Sequence, residues 1–404
     1  MEWTRRRTLA CAVGIGTTAL AGCLDDGPGR SLSETPTGSW QQVAHDAANT
    51  GVSAVTVPDR GTPAWENGDA WEIPPLVADD TVFSVATQVD ALDARTGETR
   101  WSVDLDAETG DATAPAVTDD ALILGVTGRV VAFAREDGEK LWETNIDGVA
   151  AGPATADPDD EVVLVPFRRR EQGGLVALDV ATGDTEWTAQ LRVSLYSVPA
   201  AIREGRVYAA GYREDETSVL RRYSLDGGTQ DWETELTEAE TPPVVTSAGV
   251  FISDGGKLKR YDHAGANPEV LLDLTGEERT LRGIRALAVA EETAFVLSPD
   301  GLFAISVADG SRRWQASVEP LATADSICIG NKTVVVSVTS DEFDTRWPCV
   351  AAFDRADGST RWYHSVGKSF DPTLGPTAIA DGAVYFLSNT VDGVAALGDL
   401  PPKS

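Results

Sequence analysis

The sequence predicts an all-β fold, an eight-bladed β-propeller of four-stranded antiparallel blades whose ring is closed by an N-terminal strand. Three observations predict it: a phrase ending in tryptophan that recurs about every 40 to 48 residues, short β-branched runs between its copies, and an incomplete unit at each end of the chain.

The phrase is clearest at Ala91–Trp101, and it returns at Ala132–Trp142, Ala177–Trp187, Arg222–Trp232, Ala304–Trp314 and Ala352–Trp362. Successive tryptophans are 41, 45, 45, 82 and 48 residues apart. The long step spans a degenerate copy at Arg260-Tyr261-Asp262, with Val270 or Leu271 near the tryptophan position. Such a period suits one four-stranded blade. Ala121–Leu124, Val162–Val165 and Val334–Val336 are too short for helices and are flanked by Gly, Pro and Asp, so they read as strands. Pro75, Pro115, Pro153, Pro199, Pro243 and Pro376 precede units, where a proline starts an inner strand without losing a ladder hydrogen bond. Glycine stands in the turn before each tryptophan strand and supplies a positive φ. The tryptophan then buries its face between neighbouring blades.

The ends complete each other. The unit from Pro376 to Leu400 has an expected inner strand at Ala383–Leu387 and a repeat strand at Gly393–Leu397, but no following tryptophan. Trp71-Glu72-Ile73 reads as a tryptophan strand with no repeat before it, and joining the two removes an open sheet edge. The structural tryptophans are then Trp71, Trp101, Trp142, Trp187, Trp232, Trp314 and Trp362. Units starting near residues 75, 115, 153, 199, 243, 286, 322 and 376 give eight blades, with seven the rival count if the copy near Tyr261 is irregular.

Residues 1–23 read as an export address rather than structure. Arg5 and Arg6 lie in a stretch similar to a twin-arginine signal, and the apolar run from Leu9 to Ala21 is too short and too interrupted by Gly and Thr to span a bilayer. Leu20-Ala21-Gly22-Cys23 matches a lipobox, which makes Cys23 the lipidation site and places the chain on the outer side of the cytoplasmic membrane. Residues 24–39 are rich in Gly, Pro, Ser and Thr and read as a flexible tether; residues 40–400 form one propeller domain, and 401–404 a tail.

Asp and Glu outnumber Lys and Arg by 64 to 33, for a formal charge of -31. This acidic chain repels polyanions, so nucleic acid is excluded as a partner. Carboxylate self-repulsion is screened at high ionic strength, so the composition reads as halophilic and the fold is expected to fail at low salt. His45, His263 and His364 lack zinc or dyad spacing, and His263, in a turn, and His364, just beyond a tryptophan strand, read as surface or rim residues. No nucleophile elbow, phosphate loop or dinucleotide fingerprint is present. Catalytic and metal-binding residues are therefore expected to be absent. Cys328 and Cys349 fall in one blade on non-adjacent strands and read as buried thiols rather than a disulfide.

With these residues in view, the repeat resembles the PQQ-like propeller repeat of quinoprotein dehydrogenases and of the bacterial outer-membrane-assembly lipoprotein that shares their fold. The likeness runs from Trp40 to about Leu400. Trp40–Gly51, with Asp46 and Asn49-Thr50-Gly51, is similar to the lead-in of archaeal members, and with the acidic composition and lipobox the whole resembles haloarchaeal exported lipoproteins carrying these repeats. A quinoprotein of this kind would hold a planar quinone on the axis beside Ca²⁺, an aspartate base and a disulfide between adjacent cysteines. No Cys-Cys pair exists here, and no Ca²⁺ ligand set can be assigned, so neither PQQ nor Ca²⁺ is expected.

Long hairpins between second and third strands distinguish three units. They bring Arg168, Arg169, Arg170, Arg213, Phe343, Arg346 and Trp347 to the face that also holds the connections between blades, with Arg192, Arg279, Arg282, Arg285 and Lys368. An arginine-rich rim with aromatics would dock a protein or a small anionic ligand, unless nearby Glu and Asp neutralise it. The expected function is a non-catalytic binding or scaffold propeller, with a membrane-anchored PQQ-dependent oxidoreductase as the alternative.

Overall fold

The computed structural model describes residues 29–67, 73–108, 111–159, 161–169, 172–191, 199–276, 283–321, 326–345, 347–365, 377–388 and 393–401. These residues form eight antiparallel sheets and no helix. Blade 1 is built from Leu76–Ala78, Thr81–Val85, Gln88–Asp93 and Thr99–Asp104, running outward from the axis in that order. Blades 2 to 7 repeat the plan within residues 116–145, 149–190, 201–235, 244–273, 286–316 and 319–365. Blade 8 combines Thr377–Ala380, Ala383–Ser388 and Gly393–Gly398 with a strand from the other end of the chain, Thr62–Asn67. The inner strand of this blade is thus Thr377–Ala380, and the stretch expected as inner, Ala383–Leu387, lies in the second strand.

Burial explains the sequence pattern. Second strands such as Ala121–Val126 are buried at every position, because both faces meet another blade. Outer strands alternate, as in Thr99–Asp104, because one side reaches water. The apolar core is accordingly distributed between blades, where Val, Ala, Leu and Phe of neighbouring sheets interdigitate.

Seven of the eight seams between the described sheets are locked in the same way. Every outer strand carries a register shift at or beside its docking residue, and such a bulge re-aims a side chain. The aimed indole lies on the turn glycine of the next blade. At Gly228, whose φ is 61°, an added Cβ would fall 2.4 Å from the Trp187 ring, so this position requires both a left-handed backbone and the absence of a side chain. The indole N–H then donates to a carbonyl of the same turn, as from Trp142 to Val180 at 2.8 Å and from Trp314 to Arg355 at 3.0 Å.

Ring closure departs from the expected residues. The closing strand carries Trp65, whose N–H donates to Ala94 of blade 1 at 3.2 Å, while Trp362 of blade 7 docks on Gly61 and donates to Pro58 at 2.8 Å. Trp71 and Glu72, expected in this role, lie outside the described residues. The difference has a physical basis in spacing: Gly61 precedes Trp65 by the interval that separates Gly97 from Trp101, which is the length of chain needed to bring the indole back over the next turn.

The segment Thr37–Thr56 makes a complete circuit inside the ring. It begins on blade 8, where Asp381 N donates to Thr37 O, and pairs Ser39 and Trp40 with Ala78 and Val77 of blade 1. Val117 N of blade 2 donates to Gln41 O, and Gln42 Nε2 donates to Ala156 O of blade 3. Blades 4, 5, 6 and 7 follow through Ile202 N to Ala47 O, Val245 N to Ala48 O, Val289 N to Thr50 O and Ile329 N to Gly51 O. The circuit returns to blade 8, where Gly382 N donates to Thr56 O at 2.8 Å. This strap satisfies inner-strand groups that would otherwise face the axis unpaired. Docking also reaches back into the stretch expected as a tether: Leu32 is 1% exposed and exchanges bonds with Arg95, so the chain is held from Gly29 onward.

Candidate functional site

Propeller geometry separates two faces. The turns joining first to second and third to fourth strands share one face, and the hairpins joining second to third strands share the other with the connections between blades. The long hairpins belong to blade 3, where Val162–Arg169 and Gln172–Asp179 are extended, blade 4, where residues 213–217 join two seven-residue strands, and blade 7, where residues 340–348 form the loop.

The rim residues are not one patch. Arg168, Arg169 and Arg213 stand on the neighbouring blades 3 and 4, whereas Phe343 and Trp347 belong to blade 7, across the ring from blade 3. Arg169 pairs with Asp147. Arg213 is held by Glu233 at 2.6 Å and Glu235 at 2.7 Å, and Arg221 shares Glu233, so this cluster is already neutral. The carboxyl of Glu233 is pushed up by burial, but hydrogen bonds from Arg221 and Arg213 outweigh this and hold it below the usual range. Phe343 is buried and stacks on Tyr363 with ring centroids 4.3 Å apart, so it braces the blade 7 loop. Trp347 is half-buried behind the same loop. Arg168 is half-buried and Arg285 exposed, neither with an ion pair among the described residues. Arg170, Arg346, Arg192, Arg279, Arg282 and Lys368 lie outside those residues, as do Cys23, Arg5 and Arg6.

Buried polar groups elsewhere are consumed by the fold. Asp254, 1% exposed, accepts from Thr237 N and Glu238 N and pairs with Lys259. Glu240 accepts from Ser253, Gly256 N and Ile284 N, tying the blade 5 hairpin to the start of blade 6. Cys328 and Cys349 are free thiols, and burial pushes each up to about 12, so neither is a thiolate nucleophile. Among the described residues no group of three or more His, Cys, Asp and Glu is placed to hold a metal.

The lead-in Trp40–Gly51 acquires a role that the sequence reading left unassigned. Asp46 accepts from Ala48 N, Thr50 N and the Thr50 hydroxyl, which shapes the turn. Burial raises its carboxyl, but the side-chain contacts from His45 and Thr50 prevail and leave it below the usual carboxylate range. Asn49, at φ 58°, is 2% exposed and donates to the Pro199 carbonyl at 3.3 Å and the Pro243 carbonyl at 3.1 Å, bridging blades 4 and 5. The signal was present as an Asp followed by Asn-Thr-Gly, but nothing local shows that its partners lie 150 and 194 residues away.

Comparison with known proteins agrees with this geometry. A curated relative, outer membrane protein assembly factor BamB of Yersinia pestis, is 27% identical over 242 residues, covering 55% of this chain and 59% of that protein. The chain thus matches less than two thirds of that relative's length. Among solved structures, BamB from Moraxella catarrhalis superposes with a TM-score of 0.63 at 14% identity, over 84% of this chain and 99% of that one. A quinohemoprotein alcohol dehydrogenase from Pseudomonas putida gives 0.62 at 13% identity, over 91% and 82%. At such identities these two likenesses establish the fold alone. The family model described as outer membrane protein assembly factor BamB matches residues 48–127 and 126–337, and the chain therefore belongs to that family of PQQ-repeat propellers.

Proposed function

We propose that this chain is a non-catalytic docking propeller, exported and held by a lipid on Cys23 at the outer side of the cytoplasmic membrane, and that it engages a protein through the hairpin face of blades 3 and 4. The observation that carries the reading is the strap. Thr37–Thr56 takes up the inner wall of the ring, and its polar side chains at Asp46, Asn49 and Thr50 are bonded to the chain itself rather than directed at a ligand. A quinone clamped on the axis would have to displace this polypeptide. Among the described residues no group of three or more His, Cys, Asp and Glu is placed to hold Ca²⁺, which favours this reading over the oxidoreductase alternative. The family supports a protein partner, since the relatives it includes are named for outer membrane protein assembly.

On this reading Arg168 contributes a cation without an ion pair among the described residues, while the Arg213 cluster offers a preformed, charge-balanced surface. Titrating the purified chain with PQQ and Ca²⁺ is expected to give neither a new absorbance nor dye reduction; a saturable redox-active complex would replace the proposal with the alternative. Photocrosslinkers placed at Arg168 and at Asp226, on opposite faces, test the docking surface at the native membrane. Adducts from Asp226 alone would move the surface to the other face. The acidic composition is proposed to suit concentrated salt, and the melting temperature is expected to fall as salt is removed.

A further inference from the structure

The way the chain enters the ring fixes how an anchored propeller faces the membrane. Gly29 N and Arg30 N donate to Ala64 O at 2.9 and 2.7 Å, on the outer strand of blade 8. Leu32 N donates to Arg95 O at 3.0 Å, Arg95 Nε returns a bond to Leu32 O at 3.1 Å, and Ser33 N donates to Asp399 O at 3.0 Å. Arg95 lies in the turn between the third and fourth strands of blade 1, and Asp399 directly follows the third strand of blade 8. The chain therefore enters at the seam between blades 8 and 1, on the face that holds the tight turns.

Cys23 precedes Gly29 by a few residues only, Leu24 to Pro28. An extended chain advances at most ~3.6 Å per residue, so a lipid on Cys23 can lie no more than about 20 Å from that docking point. The strands that span the disc are mostly six residues long, which separates the two faces by about 20 Å before loops are added. The tether is thus about as long as the disc is thick. The tight-turn face also carries acidic turns at Asp79 and Asp80, Asp119 and Asp120, Glu291 and Glu292, of which Asp79, Asp80, Glu291 and Glu292 pair with Arg135, Arg100, Arg355 and Arg313.

We propose that the anchored propeller holds its tight-turn face toward the membrane and presents the long hairpins of blades 3, 4 and 7 away from it. This rests on the anchoring reading above and adds a direction to it. It explains how hairpins on a short tether remain accessible to a partner from outside.

The test uses the full lipidated chain in vesicles of mixed zwitterionic and anionic phospholipid. Glu98→Cys and Asp226→Cys place a donor fluorophore on the tight-turn face, and Asp215→Cys places one on the blade 4 hairpin; each removes one exposed carboxylate. Energy transfer to a headgroup-linked acceptor is expected to be roughly twofold or more greater from Glu98 and Asp226 than from Asp215, given the separation of the faces. Equal transfer from the two faces, or greater transfer from Asp215, overturns the proposal. Flotation of a Cys23→Ser chain reads the anchoring separately: its loss from the vesicles supports the premise, and its retention at the parent level removes the premise whatever the fluorophores report.

Discussion

Seven seams of the ring are closed by an indole, and the seam between blades 5 and 6 is closed by Leu271. At the seven, the ring of the tryptophan occupies the space beside the turn glycine, and its N–H reaches a carbonyl 2.5 to 3.2 Å away. At the eighth, a Cβ on Gly310 would meet the backbone of Leu271, with its carbonyl oxygen 2.7 Å away, so the strand itself has moved into the room an indole would fill. Val307 O, the carbonyl equivalent to those bonded by indoles, is taken by the guanidinium of Arg260 at 2.8 Å. Glu240 adds a tie to Ile284 N at 3.2 Å. Of the two candidates for the docking position, Val270 is 48% exposed and Leu271 is buried. The comparison teaches that a seam needs a filled groove and a satisfied carbonyl, and that charged side chains can divide between them the work of one tryptophan.

Four measurements sharpen or break this contrast. Trp187→Ala should be the most damaging, costing about 3–5 kcal/mol in chemical denaturation at fixed salt, because it empties a groove and strands the Leu225 carbonyl. Leu271→Ala is expected to cost less, about 2 kcal/mol; equal losses would erase the distinction. Leu271→Trp, which restores the repeat, should nevertheless destabilise by about 1–3 kcal/mol through overpacking, since the backbone already occupies the site. A gain in stability would show that the seam has room. Arg260→Ala should cost about 1 kcal/mol, in proportion to a partly exposed bond, and should raise hydrogen exchange in 301–306 while leaving blade 3 protected.

The smallest effect concerns acid. The Thr275 hydroxyl and then the Lys257 ammonium hold the Asp273 carboxyl well below the usual carboxylate range. A group whose pKa is lowered on folding contributes fully above its unfolded value of about 4, and the contribution is lost as pH falls. Blade 5 should therefore begin to lose exchange protection relative to blade 3 as pH falls below about 5, and the loss should deepen below about pH 3. Uniform loss around the ring would show that its carboxylates matter no more there than elsewhere.

How much was legible follows the range of each interaction. Strands, turn glycines and the eight units are written in neighbouring residues, because alternation, left-handed turns and tryptophan spacing are local properties. The six clear tryptophans and the degenerate copy therefore fall where the repeat puts them. Trp65 was also legible in principle through its spacing from Gly61, but Trp71 offered an equally apolar phrase nearby. The candidate rim was less legible. Hairpin length placed Arg169, Arg213 and Phe343, yet whether each is open depends on Asp147, Glu233 and Tyr363, which lie on other strands.

The sequence by itself determined the all-β class and the blade plan, since each rests on periodicity. Only the tertiary structure decided which tryptophan closes the ring, how the lead-in circles the axis and which rim cations are already neutral. Those outcomes depend on partners far apart in the chain, such as the 304 residues between Trp362 and Pro58 and the 344 between Asp381 and Thr37, and such pairs become neighbours only when the ring closes.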